Sequence, residues 1–147
     1  MQKIILVTEV VKNSFYFCSV HKRQTKMDKM EKRHLLTTHI AGFGYWDGAE
    51  AFEQLRIGSV LRMVREDDNK FDPYAVALYY GDYKLGFLPR GENHEISKYL
   101  EMGYGGIYEV RINRLAPQEH PENQVGIIVR LLRNHSENGE TDGNREE

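Results

Sequence analysis

From His34 to Leu132 short apolar runs alternate with polar breaks, and the period is mostly that of strands. His34 to Phe43 reads as a strand ending at Gly42-Phe43-Gly44. Ala49 to Leu55 reads as a short helix with Phe52 and Leu55 on one face, stopped at Gly58. In Ser59 to Arg65 the apolar Val60, Leu61, Met63 and Val64 are interrupted by Arg62 and closed by Arg65, which predicts a second strand. Tyr74 to Tyr80 is a third, and Gly81-Asp82 supplies a hairpin turn into a fourth, Tyr83 to Leu88. Glu92 to Glu101, after Pro89, predicts a second helix. Ile107 to Leu115 and Gln124 to Leu132 complete the set across a Pro/Glu-rich loop. About six strands with two short helices, and no long parallel βαβ unit, predict a mainly β protein built as a small closed or half-open barrel.

The two ends follow other rules. Lys3 to Val11 is rich in β-branched residues and predicts a strand, while Lys22 to Arg33 is polar and reads as a linker. Residues 1–33 are thus expected to be a basic extension, poorly ordered or carrying one strand, before a domain at 34–132. Met27 and Met30 stand just ahead of that domain and are alternative starts to Met1. Residues 133–147 form an acidic tail, and from Asn134 onward it has no apolar residue, so disorder is expected.

Composition narrows the class. The 147 residues are 40% hydrophobic and 29% charged, ordinary for a globular protein with one core. No apolar run approaches the ~20 residues a bilayer requires. The apolar stretch in Met1 to Val20 is broken by Glu9, Lys12 and Asn13 and lacks a small-residue cleavage site, so it is not a signal peptide. Cys18 is the single cysteine, which excludes an intrachain disulfide and a cysteine metal cluster. A cytoplasmic protein without a membrane partner is the expectation.

Net charge is −2, unevenly spread. Residues 1–33 hold eight Lys/Arg and three Asp/Glu, a net of +5. Residues 34–132 hold ten against fourteen, a net of −4, and residues 133–147 two against five, a net of −3. An acidic domain argues against tracking duplex DNA through many phosphate contacts. Nucleic acid, if held, must be held at a small local pocket. The basic stretch His21 to Lys26 reads first as a solvated segment and second as a weak electrostatic lure.

Three segments concentrate the chemistry: Gly42-Phe43-Gly44-Tyr45-Trp46-Asp47-Gly48, then Val64-Arg65-Glu66-Asp67-Asp68-Asn69-Lys70-Phe71-Asp72-Pro73-Tyr74-Ala75-Val76-Ala77-Leu78, then Lys84-Leu85-Gly86-Phe87-Leu88-Pro89-Arg90. They place aromatics, one aspartate before a proline and one arginine at strand edges. That mixture suits stacking on bases while gripping a sugar-phosphate end, and it does not suit bond breaking. In this order and spacing the segments resemble the HIRAN domain, found at the front of some eukaryotic DNA-repair translocases and as small stand-alone bacterial proteins. The likeness spans roughly His34 to Leu132, about two-thirds of the chain. It implies an OB-like β-barrel, whose shallow groove suits a single strand.

Each candidate residue has a plain and a functional reading. Asp72 is pushed toward an extended backbone by Pro73 and either stitches its own loop or, as the resemblance implies, accepts from the 3′-hydroxyl of a DNA end. A carboxylate only accepts hydrogen bonds, so it bonds a free hydroxyl and repels a phosphate there. Phe71 stands where the family usually has tyrosine, and Tyr45 matches a second aromatic position. Either ring stacks on a base, worth ~1–3 kcal/mol, or is partly buried. Trp46, on the opposite face of an extended chain from Tyr45, is expected in the core. Phe87 replaces a polar residue of the eukaryotic relatives and is either a further platform or turned inward. Arg90 matches a basic position that grips phosphate, with the amides after Pro89 in support; otherwise it pairs with Glu92 or Glu95 on the surface. Gly44 stands where the translocase domains carry a basic residue, and Arg62 and Arg65 are the candidates to replace it.

Other motifs fail. Asp67 to Asp72 lacks the glycine and closing glutamate of a calcium loop. The histidines show no ligand spacing for zinc, and Gly103-Tyr104-Gly105-Gly106 is not a phosphate loop. No nucleophile elbow or paired-carboxylate signature appears. The sequence therefore predicts a non-catalytic module without metal or cofactor. It recognises single-stranded DNA ends, 3′-OH ends first, as an accessory to DNA repair or processing. A helicase, translocase or nuclease is the expected partner. The alternative is a protein-interaction module using the same aromatic groove.

Overall fold

In the computed structural model, which describes residues 31–133, the strands are β1 (Lys32–His39), β2 (Val60–Arg65), β3 (Val76–Tyr80), β4 (Tyr83–Phe87), β5 (Tyr108–Leu115) and β6 (Val125–Leu132). They form one antiparallel six-stranded sheet in the order β1-β6-β5-β2-β3-β4. Two helices, α1 (Gly48–Ala51) and α2 (Arg90–Glu101), complete the architecture. The predicted strand Lys3 to Val11, the alternative starts Met27 and Met30, most of the linker and the acidic tail lie outside the described residues.

Alternation decides the two faces. Leu61, Val76, Leu78, Leu85, Val110, Ile112, Ile127 and Val129 point inward and are buried, while Val60, one step from Leu61, is exposed. Truncating one such residue, Leu78→Ala for example, costs about 2–5 kcal/mol. α2 closes the core with Ile96 and is tied to β2 by Arg65 Nε donating to Ser97 Oγ at 3.0 Å. The short α1 runs into a 3-10 turn, Phe52–Gln54, that seats Leu55 in the core.

The sheet is OB-like and does not close into a barrel, which selects the half-open form of the expected architecture. Its edge strands are β1 and β4. They meet only through the chain just past β1, where Ala41 and Phe87 make one isolated bridge of two hydrogen bonds, 2.8 and 2.9 Å. Gly86 permits that approach: its φ is +146° and a Cβ there would strike the Ala41 carbonyl. The first strand also ends sooner than its apolar run suggested. Gly42 adopts a left-handed φ of 71°, and Phe43–Tyr45 turns as a 3-10 helix.

Candidate nucleic-acid interface

The loop between β2 and β3 is built by side chains bonding to backbone. Asn69 Oδ1 accepts from both the Phe71 and Asp72 amides at 3.0 Å. Asp72 Oδ1 accepts from the Tyr74 amide at 2.9 Å, and the Asp72 carbonyl from the Ala75 amide at 3.1 Å. This is why β3 starts at Val76 and not at Tyr74, as the apolar run had predicted. With the backbone so fixed, the Phe71 ring projects to solvent and is 85% exposed.

α2 supplies the other side of the loop. Arg90, its first residue, donates Nη2–H to the Phe71 carbonyl at 2.7 Å, and its Nε lies 3.8 Å from Asp72 Oδ2. Asn93, buried one turn later, donates Nδ2–H to the same Oδ2 at 2.7 Å. Each Asp72 oxygen is thus engaged once and retains acceptor capacity. The side chain is 15% exposed, so what reaches it must come from one direction. The surface pairing expected for Arg90 with Glu92 or Glu95 is absent; its partners are Phe71 and Asp72.

A cavity of about 540 Å³ opens on these groups. Phe71, Asp72, Phe87 and Arg90 all line it, and Tyr45 does not. Tyr45 stands outside, 83% exposed. Trp46 lines the cavity at 45% exposure, which corrects its expected place in the core. The expectation assumed an extended chain through Tyr45, whereas the chain turns there. Trp46 meets Phe87 edge-on at 5.7 Å, and the Lys84 ammonium lies 3.7 Å from the indole centroid.

The charges divide by place. Glu66, Asp68 and Asp72 line the cavity together with Lys70 and Arg90. Glu66 is neutralised by Lys84, Nζ to Oε1 2.5 Å. Lys70 is exposed beside Phe71, a cavity-lining residue that sequence reasoning passed over; its position directly before the aromatic was the available signal. Arg62 and Arg65 do not replace the missing base at Gly44. Arg62 lies over the Tyr79 ring, and Arg65 pairs with Asp67 and Glu101 beside a different hollow. At Gly44 a Cβ would come 3.0 Å from the Pro121 Cβ, so a side chain there asks the Pro121 ring to give by a few tenths of an ångström.

A second charged cluster sits on the sheet away from the cavity. Glu109 is 10% exposed and takes Arg111 Nη2 at 2.8 Å and Lys32 Nζ at 2.9 Å, with Arg130 Nη1 at 3.7 Å. The Arg111 hydrogen bond, helped by Lys32 and opposed by burial, lowers its pKa to about 2. Among the described residues no group of three His, Cys, Asp or Glu is placed to hold a metal, and no helix is long and apolar enough to cross a membrane.

Comparison with known proteins bears on this arrangement. A crystal structure of a protein from Lactobacillus plantarum superposes with a TM-score of 0.59 at 20% identity, covering 71% of this chain and 98% of that one. It has the same fold. The crystal structure of the HIRAN domain of human HLTF aligns with a TM-score of 0.48 at 13% identity, over 66% of this chain and 73% of that one. No curated protein sequence matches. The HIRAN domain profile matches residues 34–134, which is most of the chain and holds every residue of the cavity. The chain belongs to the HIRAN domain family.

Proposed function

We propose that this domain binds single-stranded DNA at a free 3′-hydroxyl end and performs no chemistry on it. Membership of the HIRAN family implies nucleic-acid binding. The observation that carries the finer reading is the juxtaposition of an exposed ring, Phe71, with a recessed carboxylate, Asp72, and a cation, Arg90, on one cavity wall. The terminal base stacks on Phe71, with Phe87 and Trp46 forming the apolar floor. Asp72 accepts from the terminal hydroxyl and disfavours a phosphate at that place. Arg90 and Lys70 line the cavity with Phe71, and they hold the phosphate one step inward. Tyr45, outside the cavity, takes the next base along the strand.

The protein-partner reading needs an apolar patch without positive charge beside it. Lys70 and Arg90 beside the rings weigh against it. In this reading the domain marks or protects an end in the cytoplasm and recruits a motor or nuclease partner for repair or processing. The test is fluorescence anisotropy on a short strand at low salt with 3′-OH and 3′-phosphate ends and 5′-labelled controls. The expected result is preference for the 3′-OH strand, abolished by Asp72→Ala. Equal binding of both ends by the parent protein refutes end recognition. Absence of binding moves the search to a protein partner.

A further inference from the structure

A chain of bonds connects the two walls of the cavity. On one side, Asp47 clamps the strand at Lys84 in both directions: the Lys84 amide donates to Asp47 Oδ2 at 3.0 Å, and the Asp47 amide to the Lys84 carbonyl at 2.9 Å. That clamp fixes the segment bearing Trp46 to β4. The Lys84 ammonium then lies 3.7 Å from the Trp46 ring centroid and 4.5 Å from that of Phe87. From there it reaches Glu66 Oε1 at 2.5 Å. Glu66 Oε2 accepts from Asn69 Nδ2 at 3.0 Å, and Asn69 Oδ1 holds the amides of Phe71 and Asp72. The Lys84 and Glu66 side chains are largely shielded from water, where such a pair holds its geometry better than at an open surface.

The geometry points to Glu66 and Lys84 as positioning residues that set the distance between the aromatic floor and the end-sensing carboxylate, and so the selectivity for the terminal hydroxyl. Neither residue needs to touch DNA. Stacking tolerates small shifts, because a ring face is broad. A single hydrogen bond to a hydroxyl does not, since it weakens steeply outside 2.5–3.0 Å or off line. Loosening the pair should therefore cost discrimination more than affinity. Lys84 also keeps Glu66 paired beside the cavity, which leaves Asp68 and Asp72 as the carboxylates a phosphate would meet there.

The inference rests on the proposed recognition of 3′-hydroxyl ends, and its test has one arm that does not. The variants are Glu66→Gln and Lys84→Met, with Lys84→Arg as the conservative rescue. In the DNA-free protein, the expected result is movement of the amide NMR signals of Phe71 and Asp72 together with the indole signal of Trp46, the only tryptophan. The thermal midpoint should stay near the parent's. In the binding arm, the ratio of 3′-OH to 3′-phosphate affinity should fall about ten-fold, with 3′-phosphate affinity held within about three-fold, and Lys84→Arg should restore the ratio. Equal loss for both ends, or a parent-like ratio in Glu66→Gln and Lys84→Met, overturns the inference. If the parent itself shows no preference, end recognition fails and the DNA-free arm decides: unmoved Phe71, Asp72 and Trp46 signals overturn the coupling of the walls, and joint movement upholds it.

Discussion

Two charged regions of this molecule use the same residue types to opposite ends. Around Glu109, a shielded carboxylate is surrounded by Lys32, Arg111 and Arg130, and its pKa falls to about 2. Around Asp72, a shielded carboxylate has one arginine at 3.8 Å, turned mainly toward a backbone carbonyl. The first is an ion cluster sealed from solvent: three cations surround the carboxylate, and its Oε2, though without a hydrogen-bond donor, is buried. The second leaves acceptor capacity and an exposed cation side by side beneath a bare aromatic ring. Burial and opposite charge alone do not make a site; incomplete mutual neutralisation does.

The comparison can be broken at several points. The largest effect is expected at Asp72: Asp72→Asn, which keeps the shape, should remove about 1.5–3 kcal/mol of preference for a 3′-hydroxyl, read as the affinity ratio between hydroxyl and phosphate ends. Phe71→Ala should weaken strand binding by ~1–3 kcal/mol. Calorimetric stability should then change by less than about 0.5 kcal/mol, because the ring is outside the core. Glu109→Gln should do the reverse, leaving DNA binding intact and lowering stability at neutral pH by about 1–2 kcal/mol once surface screening is allowed for. Because the folded pKa is depressed, that contribution is present above the ordinary carboxylate range and is lost as pH falls through about 2. Urea titrations of parent and variant should accordingly converge toward low pH. The smallest effect belongs to the rim: Lys70→Gln and Arg90→Gln should each reduce the slope of log affinity against log salt by ~0.7, one phosphate contact apiece.

Most of the fold was legible because strands carry period-two patterning and Gly81-Asp82 and Pro89 mark their ends. What escaped lay where side chains override the backbone pattern. Tyr74 and Ala75 read as strand, yet Asp72 captures their amides into a turn. Trp46 read as core, because nothing local announced the turn that Gly42 starts. The choice between a closed and a half-open barrel was left standing by the sequence, because the separation of β1 and β4 is encoded in no local pattern. Of the candidate site, Phe71, Asp72, Phe87 and Arg90 were singled out through the family resemblance and line one cavity, whereas Tyr45 lies outside it. Lys70 was missed because its one signal, a place directly before Phe71, is overshadowed by the acidic residues around it. The Glu66–Lys84 pair was missed because its partners are eighteen positions apart, one just past β2 and the other on β4.

The single bridge between Ala41 and Phe87 has a consequence for how the molecule opens. Phe87 lends its backbone to the seam of the sheet and its ring to the cavity floor. Two hydrogen bonds are little protection against local opening, compared with the continuous ladder of β5 and β6. In deuterium exchange the Ala41 and Phe87 amides should label before those of Val110 and Val129. A strand seated on the floor should slow those two amides first, because filling the cavity and shutting the seam are one event.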